Sequence, residues 1–344
     1  MTKSNVISLD LAKNVIQVCR ISKDGELISN KAMSPLKLKQ LLANATQSIV
    51  AMEGCGSCHY WARLAQSFGH EARIISPKKV KAFLQGHKTD ANDAFAIAIA
   101  ATQWGMVFSQ IKNEEQQSLQ TLEKSRQFLE KELTALGNHI RAYCYEYGIT
   151  TAKGKKALRE KITAILGSAD PVLPRSLLNT LQLLWDRYQL TATQLNEAEK
   201  HKAALVRQLE PCQRLLGLEG VGDVCASLLY ASIGNGCEFK NGRQASVYID
   251  LTPKQHSSGG KTYLRGIDKY GGDKALRAAL YQGALSIICR LPDEPTTVKQ
   301  AWLIALVKRA GIKRACIALA NKTVRTAWAL LATGKEYEPV LLMK

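Results

Sequence analysis

The sequence predicts an alternating α/β N-terminal domain, a long helical linker and a mostly α C-terminal domain. Three observations carry this. Short apolar runs alternate with helix-period segments over residues 5–105. Leucines step by threes and fours along two long stretches, 114–147 and 181–209. Beyond residue 212, apolar helical runs are punctuated by glycine turns and crowded with cations. The divisions fall at 1–110, 111–211 and 212–344.

The elements follow in order. Residues 6–9 form a short buried run, and 15–21 alternate like a strand. Asp24-Gly25 is a hairpin turn leading to a strand at 26–29. A helix over 36–42, a strand at 48–52, a helix over 60–68 and a strand at 72–76 come next. Pro77 starts the next helix, and 91–104 is an Ala/Ile-rich helix. The order is β-β-β-α-β-α-β-α. In the linker, Leu119, Leu122, Leu129, Leu133, Leu136 and Ile140 form one seam, broken by Arg126. Leu181, Leu184, Tyr188, Leu195, Ala198, Leu205 and Leu209 form another. The two helices could fold back on each other, pair between subunits or form an ordinary helical layer. A basic, Pro-containing connection over 153–174 separates them.

Composition narrows the function. The 344 residues are 46% apolar and 22% charged, which is a globular balance. Lys and Arg total 47 against 29 Asp and Glu, a net charge of +18. That excess favours a polyanionic partner: nucleic acid, or an anionic membrane surface. Half of it lies in 212–344, where 19 basic residues face 10 acidic ones. No apolar run reaches the ~18 residues of a membrane span. The first residues carry no export signal, so the nine cysteines are expected to be reduced thiols in the cytoplasm.

Four acids stand out. Asp10 ends the first strand, Glu53 ends a later one, and Asp90 and Asp93 open the long helix on one face. Carboxylates at adjacent strand ends and on a helix face can converge. Converging carboxylates repel, and cations between them relieve the repulsion. Two Mg²⁺ ions ~3.5–4 Å apart can activate an attacking oxygen and stabilise a leaving one in phosphoryl transfer. The order Asp…Glu…Asp-x-x-Asp on this frame resembles the RNase H-like fold of RuvC-type nucleases. Cys55-Gly56-Ser57-Cys58-His59 matches redox and haem-attachment patterns but is expected to be a helix start beside Glu53.

The C-terminal region adds two motifs. Gly220-Val221-Gly222 between apolar helices resembles a helix-hairpin-helix element, whose glycines let backbone amides approach a phosphate. Phe239-Lys240-Asn241-Gly242-Arg243-Gln244 precedes Lys254-Gln255-His256-Ser257-Ser258-Gly259-Gly260-Lys261, and Arg265, Lys269, Lys274 and Arg277 follow. A Ser in a Gly loop amid cations is suited to attack a phosphodiester, with the cations offsetting transition-state charge. The product, a protein–DNA ester, would let strands be cut and rejoined without ATP. Arg243, Lys254, Lys261 and Arg265 are the expected phosphate contacts.

Together these residues resemble a transposase of the IS110 family, most closely its IS1111 group, over nearly the whole chain. The resemblance implies a RuvC-like domain with a DEDD site for Mg²⁺ or Mn²⁺, a coiled-coil linker, and a C-terminal domain with a nucleophilic Ser. Asp10, Glu53, Asp90 and Asp93 match the four acids. The family Ser directly precedes Gly, which selects Ser258 over Ser257. The implied activity is DNA recombination by a dimer or tetramer on donor and target DNA, guided by an element-encoded structured RNA. Two rival readings are a metal-dependent junction nuclease in which water attacks, and a non-enzymatic nucleic-acid-binding protein.

Overall fold

In the computed structural model, residues 4–167, 173–267 and 272–342 are described, and the chain divides into two units, Met1–Glu115 and Gln116–Lys344. Lys269, one of the cations after the Ser-Gly turn, lies outside the described residues.

The first unit is a five-stranded sheet covered on both faces. β1 (Val6–Leu11), β2 (Ile16–Ile21) and β3 (Leu27–Met33) form an antiparallel meander. Gly25, at φ +92°, turns the chain from β2 into β3. α1 (Pro35–Asn44) then leads to β4 (Ile49–Glu53), and α2 (Cys58–Ser67) leads to β5 (Glu71–Ile75). The order is β3-β2-β1-β4-β5, with β1, β4 and β5 parallel. Pro77 opens α3 (Pro77–Val80), and a short turn follows before α4 (Asp90–Thr102). Alternation along each strand sorts the side chains between two cores. Ile7, Leu9, Val50 and Met52 pack with α1 and α2. Val6, Ile49, Ala51 and Ile75 pack with α4. Its buried face is mostly alanine, so the helix lies close to the sheet.

The second unit begins with α5 (Glu114–Glu146), α6 (Lys155–Gly167) and α7 (Arg175–Gln208). Lys202 bonds Glu123 at 2.9 Å and Arg187 bonds Glu132 at 2.6 Å, so α5 and α7 run antiparallel within one chain. The expected connection over 153–174 is corrected here: it contains a helix, α6. Leu158, Ile162 and Ile165 are buried against Leu133, Ile140, Leu181 and Trp185. The polar break at Arg126 also finds its reason. Arg126, Gln127 and Lys202 all donate to the buried Glu123 carboxylate. Burial alone would push that carboxyl up; the three donors and the Lys202 charge hold it below its usual value.

α8 (Glu210–Leu216), α9 (Asp223–Ile233) and α10 (Gly242–Tyr248) follow. Next come β6 (Pro253–Ser258) and β7 (Lys261–Ile267), then α11 (Lys274–Ile288), α12 (Val298–Ala310) and α13 (Ile312–Thr333). Leu215, Leu229, Ala245, Leu276 and Val324 share one core across α8, α9, α10, α11 and α13. The region is mostly helical, but the expected Ser-Gly loop is the turn of a two-stranded hairpin. Among the described residues, no helix is long and apolar enough to cross a membrane.

Candidate functional site

Asp10 and Glu53 come together through strand register. Leu9 pairs with Met52 on parallel β1 and β4, so the next residue of each strand, Asp10 and Glu53, lies at the same end of the sheet. Alternation turns both toward the α4 face. Two polar clamps fix the start of α4 there. The buried Ser8 hydroxyl donates to the Ala94 carbonyl at 2.6 Å. Asn30 of β3 donates to the Ala91 carbonyl at 2.9 Å and accepts from Gln17 at 2.7 Å. Gln17 is the cross-strand partner of Asp10. Thr89, not Asp90, caps the helix, its hydroxyl accepting from the Asn92 amide. Asp90 and Asp93 therefore occupy the first turn.

The acids act on each other. Burial, then Asp93, then Asp90 push the Asp10 carboxyl up, and Lys88 opposes them. Burial, then Asp10, then Asp93 push Glu53 up, again against Lys88. Lys88 is a cation of this site to which sequence analysis gave no role; its place directly before the Thr89 cap was the available signal. The set consists of hard oxygen donors in excess of the local positive charge, which fits a hard divalent cation. Among the described residues, no three His, Cys, Asp or Glu are closed around a common point as a ligand cluster. The acids are near enough to repel yet stand open.

Beside them, α2 starts at Cys58, with Ser57 at φ +65°, as the helix-start reading of that motif expects. Burial first, then Cys58, Glu53 and Asp10, push the Cys55 thiol up to about 11, so it stays protonated at neutral pH.

In the second unit, Gly259 (φ +55°) and Gly260 (φ +76°) form the two-residue turn joining β6 to β7. The hairpin separates the two serines. Ser257 lies with Gln255 and Thr262: its hydroxyl accepts from Gln255 at 3.1 Å and bonds Thr262 at 3.3 Å. Ser258 pairs with Lys261 and shares the other face with Lys254 and His256 by alternation. Arg265 sits by the register irregularity between β6 and β7. Ser258, Lys254, Lys261 and Arg265 are all exposed. His256, opposite Tyr263, is a second residue of this face to which sequence analysis gave no role.

The other expected contacts divide by local task. Gly220 (φ +75°) presses on α11: a Cβ there would come within 2.8 Å of the Gly283 carbonyl oxygen. Gly222 opens α9 with free space around its Cα. In the 239–244 motif, Phe239 is in the core and the Asn241 side chain caps α10. Gln244 accepts from the Lys240 amide. Gly242 packs on Arg325, where a Cβ would meet the backbone at 2.9 Å. Arg243 is exposed and makes no ion pair with a described residue.

A mixed sheet bearing an Asp–Glu–Asp–Asp set, followed by a mostly helical region, is consistent with one class: a DEDD nuclease-like domain joined to a helical C-terminal part. The family model for the IS110 DEDD transposase domain matches residues 7–148, and that of the transposase IS116/IS110/IS902 family matches 212–299. The chain is 37% identical over 337 residues to the transposase for insertion sequence element IS1111A of Coxiella burnetii, covering 98% of this chain and 92% of that one. It is 32% identical to the transposase for insertion sequence element IS1328 of Yersinia enterocolitica, covering 97% and 98%. A pilin gene-inverting protein of Moraxella bovis is 22% identical, covering 96% and 97%. The chain belongs to the IS110 family of transposases.

Proposed function

We propose that this chain is the recombinase of an insertion sequence and cuts and rejoins DNA through a phosphoserine intermediate. One observation carries the reading: a single chain holds strand-end carboxylates in register and, on a hairpin, a serine facing cations with its neighbouring serine hydrogen-bonded on the opposite face. Ser258 Oγ gives up its proton and bonds to phosphorus while a sugar oxygen of the cut strand leaves and takes a proton. Attack by a sugar hydroxyl on the resulting ester restores the phosphodiester and frees the serine. Lys254, Lys261, Arg265 and Arg243 hold phosphates, offsetting charge as it develops. Asp10, Glu53, Asp93 and Asp90 would hold Mg²⁺ or Mn²⁺, which neutralises phosphate charge when bound. Lys88 offsets part of the same negative charge.

The working division remains 1–110, 111–211 and 212–344. The turn from α8 into α9 serves as the helix-hairpin-helix element, with the open Gly222 end facing phosphate. α5 and α7 act as the coiled-coil linker. Donor and target DNA, a structured guide RNA and a second copy of the chain are the partners. Guidance by RNA would place sequence reading in base pairing rather than in a protein helix.

Trapping protein on supercoiled element DNA tests the reading. A covalent adduct is expected with parent and Ser257→Ala and is lost with Ser258→Ala. An adduct that persists in Ser258→Ala removes this serine from the mechanism. Cut ends without attached protein would indicate the water-attack nuclease. Unchanged activity in Asp10→Asn and Glu53→Gln would indicate a non-enzymatic binder. Sequencing of co-purified nucleic acid checks the guide RNA.

A further inference from the structure

We infer that a cavity between α10, α12 and α13 is a pocket for an unstacked nucleotide of a single-stranded segment, and this rests on the nucleic-acid reading above. The cavity measures about 830 Å³. Arg243, Lys322 and Arg325 supply three cations to its lining, Trp302 and Trp328 supply two indoles, and no lining residue is acidic.

The pocket is built by helix period. Ala318, Lys322, Arg325 and Ala329 recur at spacings of four, three and four along α13, which places them on one face. The alanines leave space at both ends of that face, and the cations stand between them. Lys322 Nζ lies 4.7 Å from the centre of the Trp302 ring, joining a charge to an aromatic surface. Trp328 is held by a 3.0 Å bond from its Nε1 to the Gly236 carbonyl. The opposite wall is the start of α10. Gly242 lets that helix meet α13 at Arg325, and this contact delivers Arg243 to the cavity. The other polar and small residues of the 239–244 motif are occupied in capping and packing, which leaves the guanidinium for a ligand.

Cations beside aromatic faces are what a nucleotide needs: a ring for the base and positive charge for its phosphate. A paired base offers no free face, so the pocket selects unpaired strands. It is also tied to the hairpin. Asn321, in the lining, donates to the Leu251 carbonyl at 3.3 Å, two residues before β6. A strand seated here lies on the framework that carries Ser258.

Fluorescence anisotropy with the full chain tests this, using a labelled oligothymidylate strand and a labelled blunt duplex. Trp302→Leu is expected to weaken single-strand binding by about 5- to 100-fold and to leave duplex binding unchanged, while Trp302→Phe restores it. Lys322→Gln and Arg325→Gln, both at exposed positions, should weaken single-strand binding and each lower its salt slope by about one charge. Single-strand binding unchanged in all of these variants, with the parent still binding duplex, overturns the pocket alone. Equal losses on strand and duplex also overturn it. A parent that binds neither probe overturns the pocket and the proposed function together.

Discussion

The two candidate sites are built in opposite ways. Asp10 and Glu53 sit half-buried at the ends of hydrogen-bonded strands, with Ser8 and Asn30 pinning the helix that carries Asp90 and Asp93. Ser258 stands on a hairpin whose residues are almost all exposed. One site is pre-assembled at an electrostatic cost; the other is presented to solvent. The contrast teaches that position can be fixed by packing where charges must be forced together, whereas a neutral hydroxyl needs only a backbone that holds its face.

The most severe tests strike both sites. Asp10→Asn and Ser258→Ala should each reduce strand cleavage roughly 10³-fold or more. Their effects on stability should differ. Asp10 is pushed up by burial and by Asp93 and Asp90, so its neutral replacement should raise the thermal midpoint in chelator. Added Mg²⁺ should then raise the parent's midpoint more than the variant's. Ser258→Ala should leave the midpoint where it was. A lower midpoint for Asp10→Asn would break the comparison.

A second test asks where the second unit keeps its rigidity. Glu123→Leu strands the buried Lys202 without its carboxylate, and urea unfolding should show a loss of about 3–5 kcal/mol. The sign with pH is fixed. A carboxyl held low in the folded state contributes fully above its unfolded value near 4.5, and that contribution is lost as pH falls through the folded value. The gap between parent and Glu123→Leu should therefore narrow below pH 4.5.

Smaller effects sharpen the contrast further. Ser8→Ala removes one buried hydrogen bond and should cost about 1 kcal/mol, while cleavage falls roughly 10-fold because the first turn of α4 loosens around Asp93. Gly260→Ala strains an exposed turn at φ +76°, and its unfolding free energy should fall by about 1 kcal/mol.

The sheet was legible because its strands are apolar runs of the right length, and the sequence pattern placed Asp10, Glu53, Asp90 and Asp93 at element ends. The α6 helix was hidden: five cations over 153–161 obscured the Leu158, Ile162 and Ile165 spacing. The burial of Lys202 had no local signal, because its partner, Glu123, lies 79 residues away. The β6–β7 hairpin has no buried face, so no hydrophobic alternation announced its strands, and Gly259-Gly260 read as a loop. Lys322 and Trp302 become neighbours only when α12 folds against α13.

Where α8 gives way to α9, two glycine hydrogens do the fastening. Gly220 and Gly283 touch backbone to backbone, leaving no room for a methyl on either. The bend and α11 are thereby geared: neither can slide without carrying the other. A pull at the bend would therefore reach α11.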